Sequence, residues 1–364
     1  MIVKSKMNDN YVGPRAIFDP HYIPPQLLHR KKEEHSLSSI LNDSISDEFC
    51  LNILYQGIQG IGKKVIINKV IKDLKIQEKN LTSIQTINVD CKEKNLEELI
   101  FSLLDGINNI SNLNINLNSI INSKISHLWS IVKLSCKKIN NPILILSNTE
   151  HLKHEILKKF LQFGKSTNIT IISTVNRVLR AATLDVLSEF DFKKKMKYFN
   201  YNELLDILKQ RASLTFLHEI DQDLIEIITD LIFEHYVPVP GKGIDVFRDI
   251  YPFLKEQKTI EQTELLEVCQ TNFDSFQLSD DFSMLSYISE EDILTIIFLD
   301  NLSNHFLNQS RYYITSKEIK ELFDVSCESL GYVKNIGELK DLIKKLSNLG
   351  IISASKKDIS DLIN

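Results

Sequence analysis

An α/β fold organised on a parallel sheet is what this sequence predicts, and three features predict it. Short apolar runs recur at Asn52 to Tyr55, "IQTINV" (84–89), "PILILS" (142–147) and "NITIIST" (168–174), separated by long amphipathic stretches. That is the pattern of buried strands joined by helical crossovers, with helices on both faces of the sheet. The first run ends in a glycine-rich turn that leads into the periodic segment "VIINKVIKDLK", giving strand, loop, helix. After Asn200 strand signals stop until near Gly350, and helical periodicity fills the interval.

Composition narrows the class. A chain of 364 residues exceeds what one hydrophobic core usually serves, so two or three domains are expected. With 43% hydrophobic and 25% charged residues and only 11 Gly and 8 Pro, it reads as ordered and globular. A formal net charge of −5 offers no global attraction to nucleic acid, so a DNA contact would have to come from local clusters. Cys50, Cys91, Cys136, Cys269 and Cys327 form no CxxC pair and lack His partners at metal-ligand spacing. Buried free thiols in a reducing cytosol are expected instead. The N-terminal "MIVKSKMNDNYVG" has no apolar signal core, and no run approaches the roughly 18 apolar residues of a membrane span, so a cytoplasmic protein without membrane contact is expected.

Taken in order, the Asn-rich stretch from Asn108 to Asn122 reads as loop into helix. The segments "YNELLDILKQRASLTF", "DLIEIITDLIFEHY" and "IDVFRDIYPFLKEQ" read as a small helical domain. "SEEDILTIIFLDNLSNH" opens with a Ser cap and an acidic first turn, and two more helices lead to a strand in "NLGIISAS", the order of a winged helix-turn-helix. The expected domains are therefore 1–200, 201–280 and 281–364.

The turn after the first strand carries chemistry. "GIQGIGKK" sets Gly57, Gly60, Gly62 and Lys63 at the spacing of a Walker A loop. Backbone N–H groups of the loop and of Lys64 and Val65 are expected to cradle phosphates, with Lys63 reaching the outer ones, so ATP or ADP is the expected ligand. The motif normally ends in Ser or Thr, whose hydroxyl binds Mg²⁺; here that position is Lys64, and a cation cannot ligate a cation. A working P-loop ATPase also needs acids at the end of a strand. In "ILILSNTEHL", Ser147 and Asn148 stand there, and Glu150 comes two residues late, expected to point elsewhere. Losing a general base costs about 10²–10⁴ in rate, so slow or absent hydrolysis and doubtful Mg²⁺ binding are expected.

Several segments agree, in order, with one family. "DPHYIPPQLLHRKKEEHSLSSIL", with His29, Arg30 and Glu33, resembles a segment lying beside the adenine; "INVDCK" resembles an Asn-Cys strand ending; "ISTVN" resembles a sensor-1 strand with Asn176 at the γ-phosphate position. "YNELLDILKQRASLTF" resembles a lid-entry signature through Tyr201, Leu205, Ile207, Leu208, Arg211 and Ala212, and the segment from Lys317 to Ile352 is similar to a winged helix. Over roughly 17–352 the chain resembles the archaeal origin-recognition and cell-division-control initiator family. The resemblance implies an AAA+ P-loop domain with a parallel sheet, a helical lid domain and a C-terminal winged helix. It also implies double-stranded DNA as partner, contacted by the C-terminal helix and by an insertion near 92–125, and a role in origin recognition.

Departures fall on catalytic positions. Besides Lys64, Ser147 and Asn148, the arginine-finger turn reads "LDVL" with Leu187 in its place, and the lid's sensor position is Val246, with Arg248 two residues on. Most of the Gly- and Arg-rich wing is missing from "SASKKDISDLIN", and from Ser289 to Asn364 nine basic residues face twelve acidic ones, a balance of −3. Lys340, Lys344 and Lys345 fall within about one face of the expected recognition helix and could meet phosphates; the alternative is a solvated face opposite Leu339, Leu342, Ile343 and Leu346. "FKKKMKY" (192–198) fits a solvated edge strand better than a DNA contact. Two other roles stay open: a subunit that binds an active initiator paralogue or a replicative helicase, and a slow ATPase using Glu150.

Overall fold

The structure is a computed structural model, and it describes residues 11–77, 84–111, 116–120, 123–176, 184–256, 261–274, 293–309, 313–333, 335–348 and 351–352. The chain divides into two compact units, 1–197 with 210–219 and 198–209 with 220–364.

The first unit holds a five-stranded, all-parallel sheet of β1 (Asn52–Gln56), β2 (Gln85–Asp90), β3 (Pro142–Ser147), β4 (Thr170–Val175) and β5 (Phe192–Lys195), in the order β2-β3-β4-β1-β5. The four apolar runs become the inner strands and one edge. β5 closes the other edge with Lys193 and Lys195 exposed, the charged ending that discourages further strand pairing. The helices here are α1 (Arg15–Phe18), α2 (Lys31–Ser46), α3 (Lys63–Gln77), α4 (Leu96–Ser111), α5 (Leu117–Ile120), α6 (Ile125–Cys136), α7 (His154–Thr167) and α8 (Leu184–Leu187), with a 3₁₀ turn at Thr149–His151.

α4 runs through Asn108 to Ser111, where a loop was expected. Its buried stripe of Leu99, Ile100, Leu103, Leu104 and Ile107 continues to the half-buried Ile110, and burial outweighs the weak helix propensity of Asn. That stripe meets β2 and β3 in one core with α6 and α7, where Trp129 packs 5.2 Å from both Phe160 and Phe163. Each such buried side chain contributes about 1.5–3 kcal/mol.

In the second unit α9 (Tyr201–Thr215), whose C-terminal part belongs to the first, is followed by α10 (Gln222–His235), α11 (Pro240–Asp249), α12 (Tyr251–Lys255) and α13 (Gln262–Asp274). α9 opens with a reciprocal cap: Asn200 Oδ1 accepts from the Glu203 N–H and Glu203 Oε2 accepts from the Asn200 N–H. The segment read as one helix from Ile244 breaks at Ile250, because Pro252 supplies no N–H and its ring crowds the carbonyl four residues back. α14 (Ile293–Gln309), α15 (Ser316–Leu330) and α16 (Ile336–Asn348) bury Phe298, Phe323, Leu339, Ile343 and Leu346 against one another. The expected Ser289 cap and residues 353–364, where a shortened wing was expected, lie outside the described residues. Of "NLGIISAS", residues 351 and 352 form a bend and the rest of the expected strand is not described.

Candidate functional site

The chain leaves β1 toward β2 at the far edge and leaves β4 toward β5 at the opposite edge, so the C-terminal ends of β1 and β4 border the kind of crevice where open α/β sheets bind ligands. The loop after β1 bends through Gly57, Gly60 and Gly62, with φ of +155°, +83° and +101°. At Gly62 the requirement is purely a backbone one, since a Cβ would meet nothing within 4 Å. At Gly57 it is steric: a Cβ would stand 3.0 Å from Met196 Cβ and 3.2 Å from Ile61 Cγ2. The bend delivers the chain to the first turn of α3 at Lys63, Lys64 and Val65. Their N–H groups have no intrahelical acceptor and sit at the positive end of the helix dipole, an arrangement that favours an anion.

Lys63 is 6% exposed. Its Nζ donates to the carbonyls of Gly57 and of Ile58 (2.9 Å) and to Asn176 Oδ1 (2.8 Å). Three oxygen acceptors match the three protons of an ammonium. Burial nevertheless draws its pKa down to about 7, with the Glu150 charge raising it and the Lys64 charge lowering it further.

Asn176, at the end of β4, is the hub. Its Nδ2 donates to Glu150 Oε1 at 2.8 Å and to Asn148 Oδ1 at 2.9 Å, and Asn148 Nδ2 donates to Asp90 Oδ1 at 2.7 Å. A continuous polar chain thus crosses the ends of β1, β4, β3 and β2. Burial pushes the Asp90 carboxyl up, but the Lys92 N–H, the Asn148 amide and the Lys64 and Lys94 charges together hold it below its ordinary value.

Glu150 corrects the sequence reading, which aimed it elsewhere. Asn148 adopts the left-handed conformation (φ 58°, ψ 43°), and the turn that follows swings Glu150 back toward Asn176, with Thr149 anchored by its hydroxyl to the Thr174 carbonyl. The Glu150 side chain is 5% exposed, and its Oε2 is buried with no hydrogen-bond partner among the described residues. Asp90 was missed as a site residue, while Asn148 entered only as a replaced acid and Glu150 only as the base of a slow ATPase. The available signal was Asn directly after a strand, since Asn enters the left-handed region far more readily than other residues and so reverses the chain.

P-loop ATPases hold Mg²⁺ with a loop hydroxyl and strand-end acids. The donor set here does not fit that ion. Lys64 brings a cation to the hydroxyl position, Ser147 and Asn148 bring no charge, and both oxygen and nitrogen of the Asn148 amide are already bonded. Among the described residues no group of three His, Cys, Asp or Glu side chains could hold a metal.

The other expected residues distribute as follows. Arg30 is buried and donates to the Lys197 carbonyl at 2.8 Å, while Glu33 pairs with Lys194 at 3.6 Å, so this segment straps α2 to the β5 edge. His29 is exposed with φ +57°. In the second unit Val246 is fully buried and Arg248 pairs with Asp245 at 2.6 Å. Lys340 and Lys344 are exposed on α16, whereas Lys345 is half-buried and lines a groove with Tyr332, Glu338 and Asp341.

Fold and loop together give an α/β AAA+ fold with a glycine-rich turn after β1. Within that fold class the chain is similar to archaeal ORC1-type DNA replication proteins and to solved ORC and Cdc6 structures. Over an alignment of 368 positions that covers 97% of this chain and 88% of the relative, it is 23% identical to "ORC1-type DNA replication protein 1" of Sulfurisphaera tokodaii. It is 22% identical to the "ORC1-type DNA replication protein" of Pyrococcus furiosus, covering 92% and 80% of the two chains. In fold it is similar to the Aeropyrum pernix ORC1 protein in complex with DNA (TM-score 0.61, 15% identity, 95% and 90% covered). The same holds for the Aeropyrum pernix ORC2 protein in ADPNP-ADP complexes (TM-score 0.58, 16% identity, 94% and 91% covered). No family profile matches the chain.

Proposed function

We propose that this protein is an origin-recognition-type initiator in DNA replication that binds duplex DNA and holds ATP or ADP at the Gly57–Val65 loop with little or no hydrolysis. The observation that carries the nucleotide half is the Lys63–Asn176–Glu150 contact set, which keeps a phosphate-reaching lysine and a sensing amide together at 2.8 Å while the strand-end acids are gone. The DNA half rests on similarity along nearly the whole chain to replication initiators, one of which has been solved on DNA. In this reading 201–280 is a lid, α14 to α16 are the helices of a winged helix, Lys340, Lys344 and Lys345 meet phosphates, and His29 and Arg30 flank the adenine. Bound nucleotide then acts as a stabilising ligand rather than a fuel. No described helix is long and apolar enough to cross a membrane, and the cytoplasm is the compartment that suits the role.

The test is fluorescence anisotropy of labelled duplex DNA at low and moderate salt, with and without ATP. Salt-sensitive binding supports the initiator reading, since each phosphate contact releases counterions. No binding at low salt removes direct DNA recognition.

A specific observation favours a second reading. The C-terminal helices leave Val333 (87% exposed), Leu307 (75%) and Tyr313 uncovered, which suits a subunit that docks on an active paralogue or helicase. A third, the slow ATPase, gains from Glu150: its partly unpartnered carboxylate stands one amide away from Lys63, where it could polarise a water. Turnover abolished by Glu150→Gln would favour it.

A further inference from the structure

Three substitutions at the loop point the same way. Relative to the Thr or Ser, Asp and Glu of a metal-dependent P-loop, Lys64 adds one positive charge, and Ser147 and Asn148 each remove a negative one. At these three positions the fixed charge moves by three units toward positive, in the direction in which Mg²⁺ would supply two, while Asp90 and Glu150 keep two negative charges on the far side of the Asn148 and Asn176 amides. A bound metal would have to enter beside an ammonium and displace amide bonds already made to Asp90 and Asn176. Mg²⁺ gives up water reluctantly and demands near-octahedral oxygen ligands, which this donor set does not offer.

Lys64 suits the ion's place. It is exposed in the first turn of α3, adjacent to the buried Lys63, and its charge reaches both Lys63 and Asp90. Two lysines at the positive end of a helix repel each other and the dipole, and the first turn holds no acid to relieve them. A polyphosphate relieves both.

We infer that this loop binds the polyphosphate of ATP or ADP without magnesium, the Lys64 ammonium taking the position and the charge-neutralising part of the ion. The inference rests on the nucleotide-binding reading above. It makes Lys64, Ser147 and Asn148 parts of one coherent change at the loop, with the remaining acids Asp90 and Glu150 held by the Asn148 and Asn176 amides.

The experiment is titration of the full chain with methylanthraniloyl-labelled ATP and ADP, in magnesium buffer and in excess EDTA. The expected result is the same affinity in both, within about twofold. Lys64→Thr should weaken binding in EDTA by about tenfold, the usual scale of one charge-assisted hydrogen bond. Lys64→Met, which keeps length but not charge, should weaken it equally, with circular dichroism checking that the fold is intact. Binding that appears only with magnesium, or that Lys64→Met leaves unchanged in EDTA, overturns the inference while leaving nucleotide binding standing. No binding in either buffer overturns the nucleotide reading itself and the inference with it.

Discussion

Asn176 holds Glu150 by a 2.8 Å hydrogen bond across 26 positions of sequence, and through its other amide atom holds Lys63 at 2.8 Å. One neutral side chain thus keeps a buried acid and a buried base apart yet coupled. Replacing Asn176 by Ala leaves Lys63 short of an acceptor and Glu150 with both carboxylate oxygens lacking these bonds. Unpaired buried polar groups cost about 1–3 kcal/mol each. Asn176→Ala is expected to lower the unfolding free energy by about 2 kcal/mol and to weaken labelled ATP binding, read by chemical denaturation and by titration.

The depressed pKa of Lys63 gives a pH dependence whose sign is fixed. The folded group titrates near 7, drawn down by burial, and the unfolded one near 10.5. Between those values the unfolded chain binds more protons, so stability rises with pH across that window and is insensitive to this group below it. The slope is at most about 1.4 kcal/mol per pH unit. Lys63→Met should abolish this component. Nucleotide affinity should run the other way, falling above pH 7, because phosphates need the ammonium.

Gly62→Ala and Gly57→Ala separate two causes of loop sensitivity. At Gly62 only φ of +101° opposes a side chain, and a cost of about 1–2 kcal/mol is expected, with no effect on neighbours. At Gly57 the added carbon also meets Met196 and Ile61, so a larger loss and a displaced β5 edge are expected. Paired thermal melts and amide exchange of residues 192–196 would read the difference.

Tyr55 lies fully buried in β1 with its hydroxyl lacking a hydrogen-bond partner among the described residues. Burial, and secondarily the Glu33 charge, raise its pKa, the mark of a phenol held neutral in apolar surroundings. Tyr55→Phe should therefore stabilise the protein by about 1 kcal/mol in denaturant unfolding. A loss of stability would mean that the hydroxyl has a partner.

If α16 meets DNA, Lys340→Ala and Lys344→Ala should each weaken binding uniformly across sequences and reduce the log–log salt slope by about 0.9. Lys345→Ala should do less, since Lys345 is half-buried beside Glu338 and Asp341.

Much of this was legible in the sequence because it is local. β1 to β4 show as apolar runs of a few residues and the loop after β1 as glycines at fixed spacing, and helix starts are set as locally, although the cap pairs Asn200 with Glu203 and Thr315 with Glu318 were not read from the sequence. Each is decided by backbone geometry or by hydrogen bonds reaching three residues. Lys64, Ser147 and Asn148 at the hydroxyl and strand-end positions were equally readable, since they are identities at counted positions.

What only the tertiary structure decided depends on distant strands ending side by side. Parallel order β2-β3-β4-β1-β5 gathers Asp90, Asn148, Asn176 and Lys63 along the C-terminal ends of four adjacent strands, though 113 positions separate Lys63 from Asn176. A two-residue delay in sequence seemed to remove Glu150 from the site, but the left-handed turn at Asn148 restored it. Side-chain direction after a strand follows from one φ angle and from the neighbouring strand that anchors the turn, and neither is written in spacing alone.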